Sequence, residues 1–306
     1  MISLLLHGQA GAAFGWQMLG EAALDALKDG LWSIPILFLA YLLMELLERS
    51  QKLNERILHG YSRRAGPALG GLLGVVPQCG ISGAAATLFS TGSITVGTML
   101  AVFFATSDEM LPVMLASLAE GDGTHITDIV LIVLGKAVLG IGLGYLADAL
   151  LHKRLRPGKD IHSFCKREGC DCEEEGSVFL SALKHTLKIA LLLIAVNLVL
   201  NIAFSLIGVE RLSGGILSTP VVGELIVGLF GLIPNCAVSV VITQSYLDGV
   251  FGLGGLFAGL LSNAGIGLLV LLRSNKRMKE NLIIIATLYL LSVLAGSAVG
   301  LVAGLF

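Results

Sequence analysis

Asp108 and Glu109 stand side by side in the run Ala105-Thr106-Ser107-Asp108-Glu109-Met110, within sequence otherwise apolar enough for a membrane. Carboxylates at bilayer depth are costly, and on a span they mark ion or substrate paths. The bland reading is an exposed loop between two short helices, and Pro112 fits a helix restart. Thr106 and Ser107 add hydroxyl oxygens. Gln78 and Asn235 are amides that follow Pro77 and Pro234. Proline lacks an N–H and so frees a carbonyl. Carboxylates, amide oxygens and freed carbonyls form an oxygen-rich set that suits a hard or borderline divalent ion such as Mn²⁺. Cys79 and Cys236 come next in the chain and would add soft ligands, although each also reads as a small hydrophobe. The expected metal ligands are therefore Asp108, Glu109, Asn235, Cys79 and Cys236. Gln78, Ser82, Thr106, Ser107, Ser239 and Asn263 complete the expected substrate site.

Two further charges belong to this set. Glu45 lies in Leu42-Leu43-Met44-Glu45-Leu46-Leu47, near the cytoplasmic end of an apolar segment, where an interfacial anchor is the competing reading. Lys136 lies near the centre of 127–151. A buried lysine there wants a carboxylate partner, Asp108 or Glu109, or serves as a proton-coupling group.

These polar residues occur twice. Gly71-Leu72-Leu73-Gly74-Val75-Val76-Pro77-Gln78-Cys79 returns 157 positions later as Gly228-Leu229-Phe230-Gly231-Leu232-Ile233-Pro234-Asn235-Cys236. At the same offset Ser82 meets Ser239, and 105–110 meets Ser262-Asn263-Ala264-Gly265-Ile266-Gly267. Of these two matched stretches only 105–110 carries carboxylates, as expected of one cation bound on a pseudo-twofold. Paired helix breaks in two related halves are how many secondary transporters build a central site.

The elements must hold these residues at membrane depth. The chain has 306 residues, 55% apolar and 14% charged, against about 25% charged in soluble proteins. Its mean hydropathy is +0.86. A multi-span membrane protein is expected, and a formal net charge of −2 without a basic tract gives no footing for nucleic acid. Residues 1–30 lack the basic n-region of a signal peptide, and 18–30 pattern as an amphipathic helix on the bilayer surface or a frayed terminus.

Four plain apolar segments (31–49, 127–151, 183–207 and 281–306) are near or above the ~20 residues of a spanning helix. Interrupted regions 66–119 and 216–272 lie between the members of each pair. Basic loops at 48–64, 152–182 and 273–280 place those segments in the cytoplasm, while base-poor loops near 119–126 and 208–216 face outside. Each interrupted region then crosses an odd number of times. The two halves are expected to be inverted, with both termini outside. A re-entrant hairpin plus one broken span satisfies this parity. The arm Gly66–Val76 would reach ~16 Å, about half of a ~30 Å core, with its tip at Pro77-Gln78-Cys79-Gly80. The broken span 94–118 would follow, interrupted at 106–109. Three short true spans in each region also fit the parity.

The expected fold is an all-α membrane protein of about ten hydrophobic segments in two inverted repeats. Its divisions are an amphipathic segment 1–30, a first repeat 31–151, a cytoplasmic loop 152–182 and a second repeat 183–306. The loop holds His162, Cys165, Cys170 and Cys172, a set able to make a tetrahedral zinc-like site without standard finger spacing; a solvated reduced loop is the alternative. No Gly-x-x-x-x-Gly-Lys-Ser/Thr string and no nucleophile–base pair stand out, so neither ATP hydrolysis nor another enzymatic activity is expected. No cofactor is required; the occupant is a divalent metal, Mn²⁺ or alternatively Zn²⁺. The expected partners are the lipid bilayer and the transported ion, and a homo-oligomer is compatible with the pattern.

Pro77-Gln78-Cys79-Gly80, Ser107-Asp108-Glu109-Met110-Leu111-Pro112, Pro234-Asn235-Cys236-Ala237 and Val240-Val241-Ile242-Thr243-Gln244 resemble motifs of bacterial manganese transporters. These are also described as ten-segment heavy-metal exporters related to the arsenical permeases. The resemblance covers roughly 27–306 and includes a Cys/His-bearing middle loop. It implies a bacterial inner-membrane exporter of a divalent metal. The alternatives it leaves are an arsenical, soft-metal or small-solute permease using Cys79 and Cys236, and a metal-sensing membrane protein. Ser262-Asn263 departs from the family pattern, which has small or apolar residues there.

Overall fold

The computed structural model describes residues 57–76, 79–106, 110–120, 125–151, 221–275 and 277–304, with single positions 38, 183, 187, 191 and 219. All regular structure among them is helical. The first half runs α1 (Ile57–Gly74), α2 (Cys79–Ser90), α3 (Val96–Ala105), α4 (Met110–Glu120) and α5 (Ile126–Leu151). The second runs α6 (Val222–Gly231), α7 (Cys236–Leu247), α8 (Leu253–Ser262), α9 (Gly267–Ser274) and α10 (Met278–Ala303). The limits of α2 and α3 recur 157 positions later in α7 and α8, and the ends of α1 and α6 and the starts of α4 and α9 keep the same offset. The repeated polar run thus maps onto repeated helix breaks.

Among the described residues four stretches are long and apolar enough to cross a membrane: Val96–Leu118, Ile126–Leu151, Leu253–Ser274 and Met278–Ala303. The segments expected at 127–151 and 281–306 correspond to α5 and α10, and the broken span expected at 94–118 to α3–α4. The segments 31–49 and 183–207 lie outside the described residues, apart from single positions. The first arm differs from expectation, because α1 begins at Ile57 rather than Gly66 and passes through Pro67. The lipid-like faces are on α5 and α10, where Leu131, Leu134, Val138, Leu282, Leu294 and Leu301 are all exposed. Only 28% of the α5 window is buried, against 89% for α8–α9, so the broken helices lie inside and the plain ones outside.

Small residues set the packing. α3 runs parallel to α1, with Gly70 beside Thr98 and Gly74 beside Val102 and Ala105. It runs antiparallel to α5, with Gly97 beside Asp148, Ala101 beside Gly144 and Ala105 beside Gly140. The second half repeats this: Gly228 and Gly231 of α6 lie along Ala258 and Gly259 of α8, and Gly254 and Ala258 oppose Gly300 and Gly296 of α10. A Cβ at Gly144 would lie 2.6 Å from that of Ala101, a separation real side chains do not show. The ends of α1 and α6 therefore reach the same level as the ends of α3 and α8. Across the halves the contacts are reciprocal, with α2 packed on α9 and α7 on α4.

Candidate functional site

The two broken helices meet at one lysine. α3 ends at Ala105 and α8 at Ser262, each followed by extended backbone at Thr106 and Asn263. Lys136, on the antiparallel neighbour α5, is only 1% exposed. Its Nζ donates to the carbonyl of Thr106 and, at 3.4 Å, to that of Leu260. The carboxyl ends of helices carry partial negative charge, so a cation is favoured where two of them approach. Gly135, one residue earlier on α5, faces the Phe257 ring of α8.

Most of the described residues that the sequence singles out are buried, among them Ser82, Thr106, Asn235, Ser239, Ser262 and Asn263. Ser82 of α2 sits against the start of α9, since a Cβ at Gly267 would lie 2.8 Å from its own Cβ. The Thr106 hydroxyl, expected as a free oxygen donor for a metal, donates to the Val102 carbonyl at 2.6 Å. Its carbonyl takes the outward role because the helix ends there. Asn263 Oδ1 accepts from the Gly265 N–H at 2.9 Å, closing a turn whose glycine has φ +53°. Ser262 Oγ lies 2.7 Å from the Gly228 carbonyl and 2.9 Å from that of Gly259, tying the end of α6 to the end of α8. A carboxylate partner was expected for Lys136; among the described contacts its ammonium meets carbonyls.

Gln78, Ser107, Asp108, Glu109, Glu45, His162, Cys165, Cys170 and Cys172 lie outside the described residues. Cys79 and Cys236 open α2 and α7, and their thiols also lie outside them. Among the described residues no three His, Cys, Asp or Glu side chains gather into a metal-holding group.

Sequence reasoning passed over two carboxylates that fix the far ends of the broken helices. Asp148 Oδ1 accepts from the Gly97 N–H and Oδ2 from the Thr95 hydroxyl, both at 2.7 Å, at the amino end of α3. Glu224 accepts from the Val221 N–H and from Ser297 Oγ at 3.1 Å. Its Oε1 also approaches Gly254 at the amino end of α8. Carboxylates suit the positive ends of helices. The available signal was a lone acid near one end of each apolar run. Comparison of the chain with known protein families, with curated proteins and with solved structures finds no match in any of the three.

Proposed function

We propose that this chain is a secondary transporter that exports a divalent metal ion, Mn²⁺ first among the candidates. The observation that carries the transport reading is the meeting of two helix breaks at Lys136, inside helices whose outer faces are apolar. Non-helical backbone inside a membrane persists only where protein or a water-filled cavity satisfies it. Paired breaks at mid-depth are the arrangement that binds substrate in inverted-repeat transporters. The inverted relation is supported by the run of the helices. α3 begins beside Asp148, towards one end of α5. α8 passes Gly135 with its Phe257 ring before its Leu260 carbonyl reaches Lys136. Both helices then run to Lys136 from opposite sides.

The short helices α2 and α7 have 12 residues each, or ~18 Å, less than a ~30 Å core. That length supports re-entrant hairpins α1–α2 and α6–α7 over full spans. The metal class rests on the oxygen-rich breaks, with Asp108 and Glu109 as ligands, and on the motif resemblance. The orientation with both termini outside rests on the basic loops, and the bacterial inner membrane on the motif resemblance.

One observation favours a second reading. Cys79 and Cys236 open α2 and α7 at equivalent breaks, and two soft ligands at matched positions favour a solute such as an arsenical. Cells with and without the gene, grown under Mn²⁺, Zn²⁺, Co²⁺ and arsenite stress, separate the two. Protection from Mn²⁺ that Asp108→Asn removes, with expression unchanged, is the expected result. Protection from arsenite alone, or full Mn²⁺ protection by Asp108→Asn, overturns the metal reading.

A further inference from the structure

We propose that the junction of α3 and α8 is a monovalent-cation position that the chain fills with its own Lys136 ammonium, so that no Na⁺ or K⁺ binds there. Two helix carboxyl ends converge on this point, and the Thr106 and Leu260 carbonyls both turn to Nζ. Helix carboxyl ends and unwound carbonyls are the groups that hold coupling cations in transporters with broken helices. Here the ligand is covalently tethered. The position is as buried as the hydrophobic core, so the carbonyls have little water to turn to.

Among the described residues the matching helix of the other half carries an apolar side chain at the equivalent position. Gly144 packs on Ala101 of α3 as Gly296 of α10 packs on Ala258 of α8, an offset of 152, and this puts Leu288 opposite Lys136. Leu288 is fully buried, so the position equivalent to Lys136 is apolar. The charge cannot be replaced from nearby described elements: α3 and α8 have no ionisable side chain, and Asp128 and Asp148 lie towards the two ends of α5. The inference does not depend on which substrate is carried.

The test is the thermal stability of the purified full chain in detergent, titrated with NaCl, methylammonium chloride or choline chloride. Wild type should melt at one temperature in all three at equal ionic strength. Lys136→Ala should melt lower in choline and regain a saturable ~3 °C or more with Na⁺ or methylammonium, because a ligand of the native state alone stabilises it. Where Lys136→Ala yields folded protein only with the small cations, yield replaces melting temperature as the readout, with the same order expected. Equal behaviour of Lys136→Ala in choline and in small cations, failure to fold in all three, or a Lys136→Met protein as stable as wild type in choline overturns the proposal. Loss of Mn²⁺ protection in cells with the stability pattern intact would count against the proposed substrate alone.

Discussion

At the scale of single residues, the centre of the molecule is governed by a charge and by carbonyls. Lys136 is held in part by main-chain oxygens that are free because two helices stop, and those partners could not be read from residue types. The expected hydroxyl of Thr106 and amide of Asn263 are turned into local hydrogen bonds, as short polar side chains at helix ends commonly are. The thiols give the sharpest chemical choice. A site built on oxygen should tolerate their loss, whereas an arsenical site depends on thiolate. Replacing both Cys79 and Cys236 by Ser is therefore expected to leave Mn²⁺ efflux within roughly twofold of wild type. Efflux of Mn²⁺ from loaded cells measures this. Complete loss of protection by the double variant, with Asp108→Asn still protective, would make the soft-ligand permease the better account.

At the scale of elements, glycine decides how close the helices come. Gly144 faces Ala101 and the Gly97 carbonyl at distances that leave no room for a methyl group, while Gly142 two positions earlier faces open space. Gly144→Ala is expected to destabilise by about 1–3 kcal/mol through overpacking. Gly142→Ala is expected to be neutral or to stabilise by about 0.5–1 kcal/mol, since alanine is the better helix former. Melting of the two variants in detergent checks the pair, and equal melting temperatures would mean that α3 and α5 are not packed this closely.

The positions of α5, α10 and the broken helices were legible in the sequence because long apolar runs and proline–amide breaks are strong local signals. Lengths were less so: nothing before Gly66 announces that α1 starts at Ile57, with Pro67 inside the helix. Asp148 and Glu224 were missed for another reason. The repeat offset pairs Glu224 with Pro67 in the first half, and the packing pairs Asp148 with Gly300 in the second. Each half takes its carboxylate from a different helix, so comparison of the two halves hides both.

At the scale of the whole molecule, the proposed transporter needs two halves that approach one point from opposite sides of a membrane. The pairing of α2 with α9 and of α7 with α4 makes the halves mutually dependent. Equivalent elements at one offset, joined by reciprocal contacts, are what a two-fold relation produces. If that axis lies in the membrane plane, α3 enters from the cytoplasm and α8 from outside, and the basic loops around Arg63 and Arg277 lie on the same side as each other. The most direct measurement is labelling of single cysteines by a membrane-impermeant thiol reagent, in a chain whose native cysteines have been replaced. Ser62→Cys and Lys279→Cys should label only when the cytoplasmic face is open, and Asp122→Cys should label from intact cells. Labelling of Ser62→Cys and Asp122→Cys from the same side would contradict the inverted arrangement and, with it, the transporter drawn here.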